Sequence, residues 1–272
     1  MNFLHFEREH LPNWVSILGE ECVSLGQMML AYRDADEAIR FSRKEDGSPV
    51  SVADLESCER LSALLHKLDP GVAVVSEERA GAPDVSQFWL VDPLDGTREY
   101  LSGRNGFSIN LALVDNGIVQ RGLIYFPGTG ALWWAERGLG AWLGQQRLSV
   151  ATVADNPTGS LLVSGREPDL AVARWKLGLV KIGWRGLPDW KAGAEKLCAV
   201  AAGEAIMHAR VSACSAWDIA SGQLLIEEAG GVLWDDQGNR VRYTADGTGQ
   251  WSAPPYLAGS EPAVQACLAA RL

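Results

Sequence analysis

The sequence is poor in the residues that hold soft metals or staple small folds. Its 272 residues include four histidines (His5, His10, His66, His208) and five cysteines (Cys22, Cys58, Cys198, Cys214, Cys267), an odd number, widely spaced and without a C-x-x-C pair. Zinc sites and disulfide frameworks are therefore not expected. Long apolar runs are also missing: no stretch approaches the ~18 residues of a membrane span. The opening MNFLHFEREHLPNW scatters charge where a secretory leader needs an apolar centre. These absences predict a reducing, cytoplasmic setting and no membrane insertion. Positive charge is in deficit as well. With 24 Lys and Arg against 34 Asp and Glu, the formal charge is -10, which opposes polyanions, so no nucleic-acid polymer is expected as a partner. A small anionic substrate stays open, provided that a cation stands between the protein's carboxylates and the ligand.

What is present is a globular composition, with 47% hydrophobic and 21% charged residues. At roughly 150 residues per domain, the length fits one large domain or two ordinary ones. Apolar residues at Leu11, Trp14, Val15, Leu18, Cys22, Leu25, Met28, Met29 and Tyr32 keep the spacing of one helical face. Arg43 to Val50 is turn chemistry, and a second helix bearing Leu61, Leu64, Leu65 and Leu68 is expected to start near Asp54. VAVVSE (72–77), QFWLVD (87–92), FSINLALV (107–114) and IVQRGLIYF (118–126) read as strands, the last two joined across Asp115-Asn116-Gly117. ALWWAERGLGAWL continues this β-rich stretch. Beyond Val150 the pattern alternates: LLVSG, a helix over Ala171 to Leu177, VKIGW, a helix over Ala192 to Ala202, AIMHARV, and a helix from Asp218 to Glu228. The expected class is α/β, with an α+β half over 1–150 and an α/β half over 151–272.

Carboxylates gather where strands end. QFWLV runs into Asp92-Pro93-Leu94-Asp95-Gly96-Thr97, VAVVS runs into Glu77 and Glu78, and Asp218 follows Ala216-Trp217 at the start of a helix. Each piece has a plainer reading: D-P-L-D-G-T as a surface turn, Asp218 as an N-cap. Pro93 fixes φ, and Gly96 permits close backbone approach to a ligand whose anion the amides of Gly96 and Thr97 would meet. Brought together, such carboxylates repel by about 4 kcal/mol per pair at ~4 Å and an effective dielectric near 20, so the cluster needs a cation. All-oxygen donors select a hard ion, and Mg²⁺ is the usual one beside a substrate phosphate. The chemistry this points to is metal-assisted hydrolysis of a phosphate ester.

S-E-E at 76–78, W-L-V-D-P-L-D-G-T-R-E-Y at 89–100 and W-D-I-A-S-G at 217–222 resemble the inositol monophosphatase superfamily. D-G-S-P-V-S-V-A-D (46–54), R-N-G (104–106) and K-L-C-A-V-A-A-G (196–203) look most like its 3'(2'),5'-bisphosphate nucleotidases of the CysQ type. The resemblance spans roughly residues 15 to 245. It implies a five-layer α-β-α-β-α sandwich, with most metal ligands in the N-terminal half and the C-terminal half completing the metal site and substrate pocket. It implies Mg²⁺ ions held by Glu77, Asp92, the Leu94 carbonyl, Asp95 and Asp218, sensitivity to lithium, and an attacking water positioned by Thr97 and Glu77. Asp54 would support Thr97, or merely cap its helix. Glu78 should point the other way along its strand, to solvent. Lys196 and Arg210, the latter eight residues before Asp218, match cations placed to hold a phosphate that is not cleaved, against the plainer reading of an exposed helix lysine and a strand-end arginine. Two departures stand out: Ser164-Gly165-Arg166-Glu167 replaces the S-R-S-H of those nucleotidases, and no glycine-proline turn precedes Trp217.

The leading expectation is an Mg²⁺-dependent phosphomonoesterase removing the 3'-phosphate of adenosine 3',5'-bisphosphate to leave AMP. The alternatives are the same chemistry on inositol monophosphate or another small phosphorylated alcohol, and a silent phosphate-ligand sensor. The sequence leaves the oligomeric state open, a homodimer included. The eleven tryptophans are expected in core and rim packing, His208 in the core, and the G-L-G at 138–140 in a turn.

Overall fold

Helix α1 (Asn13–Asp34) buries Trp14, Val15, Leu18, Cys22, Leu25 and Met29 on one side, the face that the apolar spacing predicts. The computed structural model describes residues 11–35, 41–43, 49–79, 81, 85–151, 160–164, 185–189, 193–244 and 251–270. Strands β1 (Phe41–Arg43) and β2 (Pro49–Ser51) pair antiparallel, so the ends of the 43–50 turn segment are a short hairpin's strands, while 44–48 lie outside the described residues. Helix α2 (Val52–Leu68) starts just ahead of Asp54 because Ser51 is its N-cap and Asp54 its third residue, the two locked in a capping box.

The first sheet follows: β3 (Ala73–Ser76), β4 (Gln87–Asp95), then after the short helix α3 (Thr97–Leu101), β5 (Ser108–Asp115), β6 (Ile118–Phe126), β7 (Ala131–Glu136), β8 (Gly140–Leu143) and β9 (Gln146–Arg147). The strands lie side by side in chain order, β3 parallel to β4 and the rest antiparallel. Asn116 (φ 49°) and Gly117 (φ 77°) form the two-residue turn between β5 and β6, both left-handed as a tight hairpin requires. The strands read as continuous apolar runs because the sheet is covered on both faces. Trp89, Val91, Ile109, Leu111, Leu123 and Tyr125 pack with α1 and α2, whereas Phe88, Leu90, Ala112, Val114 and Ile124 join a second cluster on the opposite side.

Beyond residue 151 come β10 (Ser160–Ser164), β11 (Arg185–Asp189), α4 (Gly193–Ala201), β12 (Met207–Arg210), β13 (Cys214–Ser215), a 3-10 turn (Ala216–Asp218), α5 (Ala220–Glu228), β14 (Val232–Asp235), β15 (Ser252–Ala253), β16 (Tyr256–Gly259) and α6 (Glu261–Ala269). The second sheet has the order β11-β10-β12-β16-β14, with β16 antiparallel to both its neighbours. Residues of α4 and α5 fill the space between the two sheets, and α6 covers the far side through Ala263, Val264 and Cys267 against Met207, Ala209 and Leu257. Helices, sheet, helices, sheet, helix make the five layers of the expected sandwich. The helix expected over 171–177 and the VKIGW strand fall outside the described residues. No disulfide links the five cysteines, which are all buried, and His208 is buried edge-on to Tyr256 in the core. No helix among the described residues is long and apolar enough to cross a membrane.

Candidate active site

Residues three apart on a regular strand point to opposite faces, so Asp92 and Asp95 could not share a site if β4 were regular. Nor does β4 end at Asp92, where the sequence places its end. It runs on to Asp95, and its register against β5 shifts: Asp92 lies opposite Asn110 and Asp95 opposite Ser108, one extra residue on β4. That bulge turns both carboxylates to one side. Pro93 fits there because a bulged position makes no demand on a backbone N–H.

The third carboxylate comes from far along the chain. Asp218 closes the 3-10 turn ahead of α5, whose N-cap is Ile219, so Asp218 is not the cap that the plainer sequence reading made it. Carboxylate oxygens of Asp92, Asp95 and Asp218 lie within 4.8 Å of one another. Burial, then the charges of Glu77, Asp95, Asp218 and Asp54, push the Asp92 carboxyl well above the usual range. Burial and Asp95 hold Asp218 up at about 8, against the opposing pull of Arg210. Asp95 rises to about 6, restrained by hydrogen bonds from Asn110 and the Ala194 amide on α4. Glu77 sits one residue past β3, its N–H donating to Val91 O at 3.2 Å. It stands beside this trio without joining its tight grouping, and its charge is felt by all three aspartates. Glu78 is half-buried on the turn after β3, not solvent-facing on the strand.

A dry cluster of like charges is unfavourable by itself and becomes favourable around a divalent cation, so this donor set fits a hard metal ion. The sign of the pH effect follows. Carboxyls whose folded pKa lies above the usual ~4 bind more protons folded than unfolded, so metal-free protein should lose stability as pH rises from about 4 toward 8. With a chelator present, thermal unfolding is expected at a higher temperature near pH 5.5 than near pH 8. Added divalent cation should abolish that difference, and a flat profile without metal would contradict the buried cluster.

Beside the carboxylates lies a chain of hydrogen bonds that begins in α2. The Ser51 amide and hydroxyl donate to Asp54 Oδ2 at 2.7 and 2.5 Å, and the Thr97 hydroxyl lies 3.2 Å from both Asp54 Oδ1 and the Leu94 carbonyl. Asp54, fully buried, thus caps its helix and also supports Thr97, joining the two readings left open by the sequence. Burial raises its pKa, and the bonds from Ser51 oppose the rise. Gly96, at φ 85°, opens α3, and a Cβ there would come within 3.0 Å of Gly106 O, so no other residue fits without displacing the 104–106 segment.

The two proposed substrate cations are less alike than their motifs suggest. Lys196 is 4% exposed on α4, not the exposed helix lysine of the plainer reading. Arg210 is half-buried at the end of β12, and its charge acts on Asp218. Sequence reasoning missed Ser51, Asn110 and Ala194. The S-x-x-D pattern at 51–54 and a lone polar residue within the apolar run at 107–114 were the available signals for the first two; the Ala194 amide left none.

A profile of the inositol monophosphatase family matches residues 17–270. The chain is 30% identical over 226 residues to the 3'(2'),5'-bisphosphate nucleotidase CysQ of Salmonella typhimurium, covering 80% of this chain and 89% of that one. It is 35% identical over 210 residues to the inositol-1-monophosphatase of Mesorhizobium japonicum, covering 74% and 77%. Among solved structures, the extragenic suppressor protein SuhB from Bartonella henselae superposes with a TM-score of 0.75 at 26% identity, covering 96% and 98%. With the five layers, the carboxylate trio and this family match together, the chain belongs to the inositol monophosphatase family and is a phosphatase.

Proposed function

We propose that this enzyme is an Mg²⁺-dependent phosphomonoesterase that removes the 3'-phosphate of adenosine 3',5'-bisphosphate, yielding AMP and phosphate in the cytoplasm. The observation that carries the chemistry is the convergence of Asp92, Asp95 and Asp218 beside the Ser51-Asp54-Thr97 chain. Glu77, Asp92, the Leu94 carbonyl, Asp95 and Asp218 would hold the metal. When bound, Mg²⁺ supplies charge for the phosphate oxygens and acidifies a water. Asp54 accepts a hydrogen bond from the Thr97 hydroxyl, which leaves the Thr97 oxygen free to accept a hydrogen bond from the attacking water. Glu77 accepts a hydrogen bond from the water's other O–H and takes that proton as the water attacks. The amides of Gly96 and Thr97 open α3, where no preceding turn supplies acceptors, and are set to meet a phosphate oxygen. As the water oxygen bonds to phosphorus, the bond from phosphorus to the ribose 3'-oxygen breaks, and that oxygen takes up a proton from solvent water.

The substrate reading is supported by the CysQ-like motifs at 46–54 and 104–106 and by the nucleotidase relative; the inositol-1-monophosphatase relative supports the alternative. A bisphosphate carries a second anionic group, for which Lys196 and Arg210 are our assignments. Phosphate release from a panel including adenosine 3',5'-bisphosphate and inositol 1-phosphate, with and without Mg²⁺, tests the function. Lys196→Ala should raise KM for the bisphosphate by about tenfold per 1.4 kcal/mol of lost contact while sparing inositol 1-phosphate, and Arg210→Ala should raise it more for the bisphosphate than for inositol 1-phosphate. Wild-type preference for inositol 1-phosphate would make the alternative correct. Full activity in a lithium titration at low Mg²⁺ would count against the metal assignment.

A further inference from the structure

Asp218 is delivered by α5. Its turn runs directly into that helix, with Ile219 N–H bonded to Ala216 O and Gln223 N–H to Ile219 O at 2.8 Å. Near its start α5 presses on β6 so closely that a Cβ on Gly122 would lie 3.0 Å from Ser221 O, and on α4 so closely that one on Gly222 would lie 2.4 Å from Leu197. These contacts set the distance of α5 from its neighbours. The first of these contacts is backbone on backbone, and the second seats the Leu197 side chain over Gly222.

The far end of the helix is held differently. The Glu227 carboxylate accepts from Arg137 Nη2 at 2.8 Å, from Arg240 Nε at 2.8 Å, from Arg240 Nη2, and from Gln223 Nε2 at 2.9 Å. Arg137 follows β7 and donates its Nε–H to Val119 O of β6 at 2.8 Å. Next to it, Glu228 accepts the Gly140 N–H at 3.0 Å at the start of β8. On the other side Tyr243 donates its hydroxyl to Gln223 Oε1, and its backbone N–H to Gly117 O in the β5–β6 turn. The C-terminal end of α5 is therefore tied in register to the same sheet that carries Asp92 and Asp95. Glu227 is the shared acceptor, 14% exposed between arginines that are about one-third exposed.

We infer that Glu227 is a positioning residue for the metal site: by clamping α5 along its axis to the first sheet, it fixes Asp218 within reach of Asp92 and Asp95. A helix transmits an axial slip at one end to the other, at 1.5 Å per residue of rise. Ligand geometry tolerates only about 0.5 Å of error. This rests on the metal reading proposed above.

The test is calorimetric titration of Mg²⁺ into metal-free protein, with thermal unfolding measured in parallel. Glu227→Ala and Arg240→Gln are each expected to weaken Mg²⁺ binding by about tenfold or more. Arg60→Gln serves as a control, because it breaks an ion pair of similar exposure at 2.7 Å between α2 and Glu21 of α1, away from α5. It should lower the unfolding temperature and leave Mg²⁺ affinity unchanged. Wild-type Mg²⁺ affinity in both clamp variants would overturn the inference, and so would an equal loss in the Arg60 control. Should the alanine variant fail to fold, the Arg240 variant decides alone. A wild-type protein that binds no Mg²⁺ would refute the metal reading itself, and the clamp with it.

Discussion

Asp95→Asn is expected to lower phosphate release by about 10³-fold or more while leaving the fold intact, because a charged donor to the metal is lost with almost no change in volume. The same substitution should raise the stability of the metal-free protein. Asp95 is held among carboxylates and its pKa is pushed to about 6, so near pH 8 its charge opposes folding when no cation is present. Neutralising it removes that repulsion, and the unfolding temperature should rise by about 2–4 °C for each kcal/mol relieved. Asn110, which donates to Asp95 Oδ2, retains an acceptor in the Asn side chain. Activity lost with metal-free stability gained is a signature that a merely structural aspartate would not give. Unchanged turnover would remove Asp95 from the metal site, and a less stable metal-free variant would show that its charge is compensated by some other group.

The second large effect concerns Thr97. Its hydroxyl has one proton and two acceptors at 3.2 Å, the Asp54 carboxylate and the Leu94 carbonyl. Thr97→Val removes the hydroxyl at nearly constant volume, so kcat should fall by about 10² with Mg²⁺ affinity largely kept. Asp54→Asn should lower kcat in the same sense, and it should also loosen α2, because Asp54 closes the capping box with Ser51, a contribution of about 1 kcal/mol. The pair of variants separates the two duties of Asp54: a loss in kcat shared with Thr97→Val, and a loss in stability that Thr97→Val lacks. If Mg²⁺ affinity collapses in Thr97→Val while kcat at saturating metal holds, Thr97 belongs to the metal shell rather than to the water.

The chemistry of the site was legible in the sequence because its residues sit in contiguous, unusual patterns. An apolar strand that runs into Asp-Pro-Leu-Asp-Gly-Thr calls for an explanation wherever the strand lies, and the amphipathic spacing of α1 and the Asn-Gly turn between β5 and β6 depend on local backbone preferences alone. Three things were not local, and tertiary structure decided them. The bulge that brings Asp92 and Asp95 to one side of β4 exists only in the register with β5, which no window of sequence contains. Insertion of β16 between β12 and β14 depends on pairing between segments far apart in the chain, so β14 and β16, unlike β12, left no periodic signal strong enough to read. The burial of Lys196 is a matter of which side of α4 meets the neighbouring layers, and a lysine on a short helix reads as solvent-facing until those layers are in place. The sequence by itself determined which groups are available to the proposed chemistry. Only the packing of α5 between two sheets decided that Asp218 meets Asp92 and Asp95, because that meeting is set by long-range burial and not by any preference of the residues around Asp218.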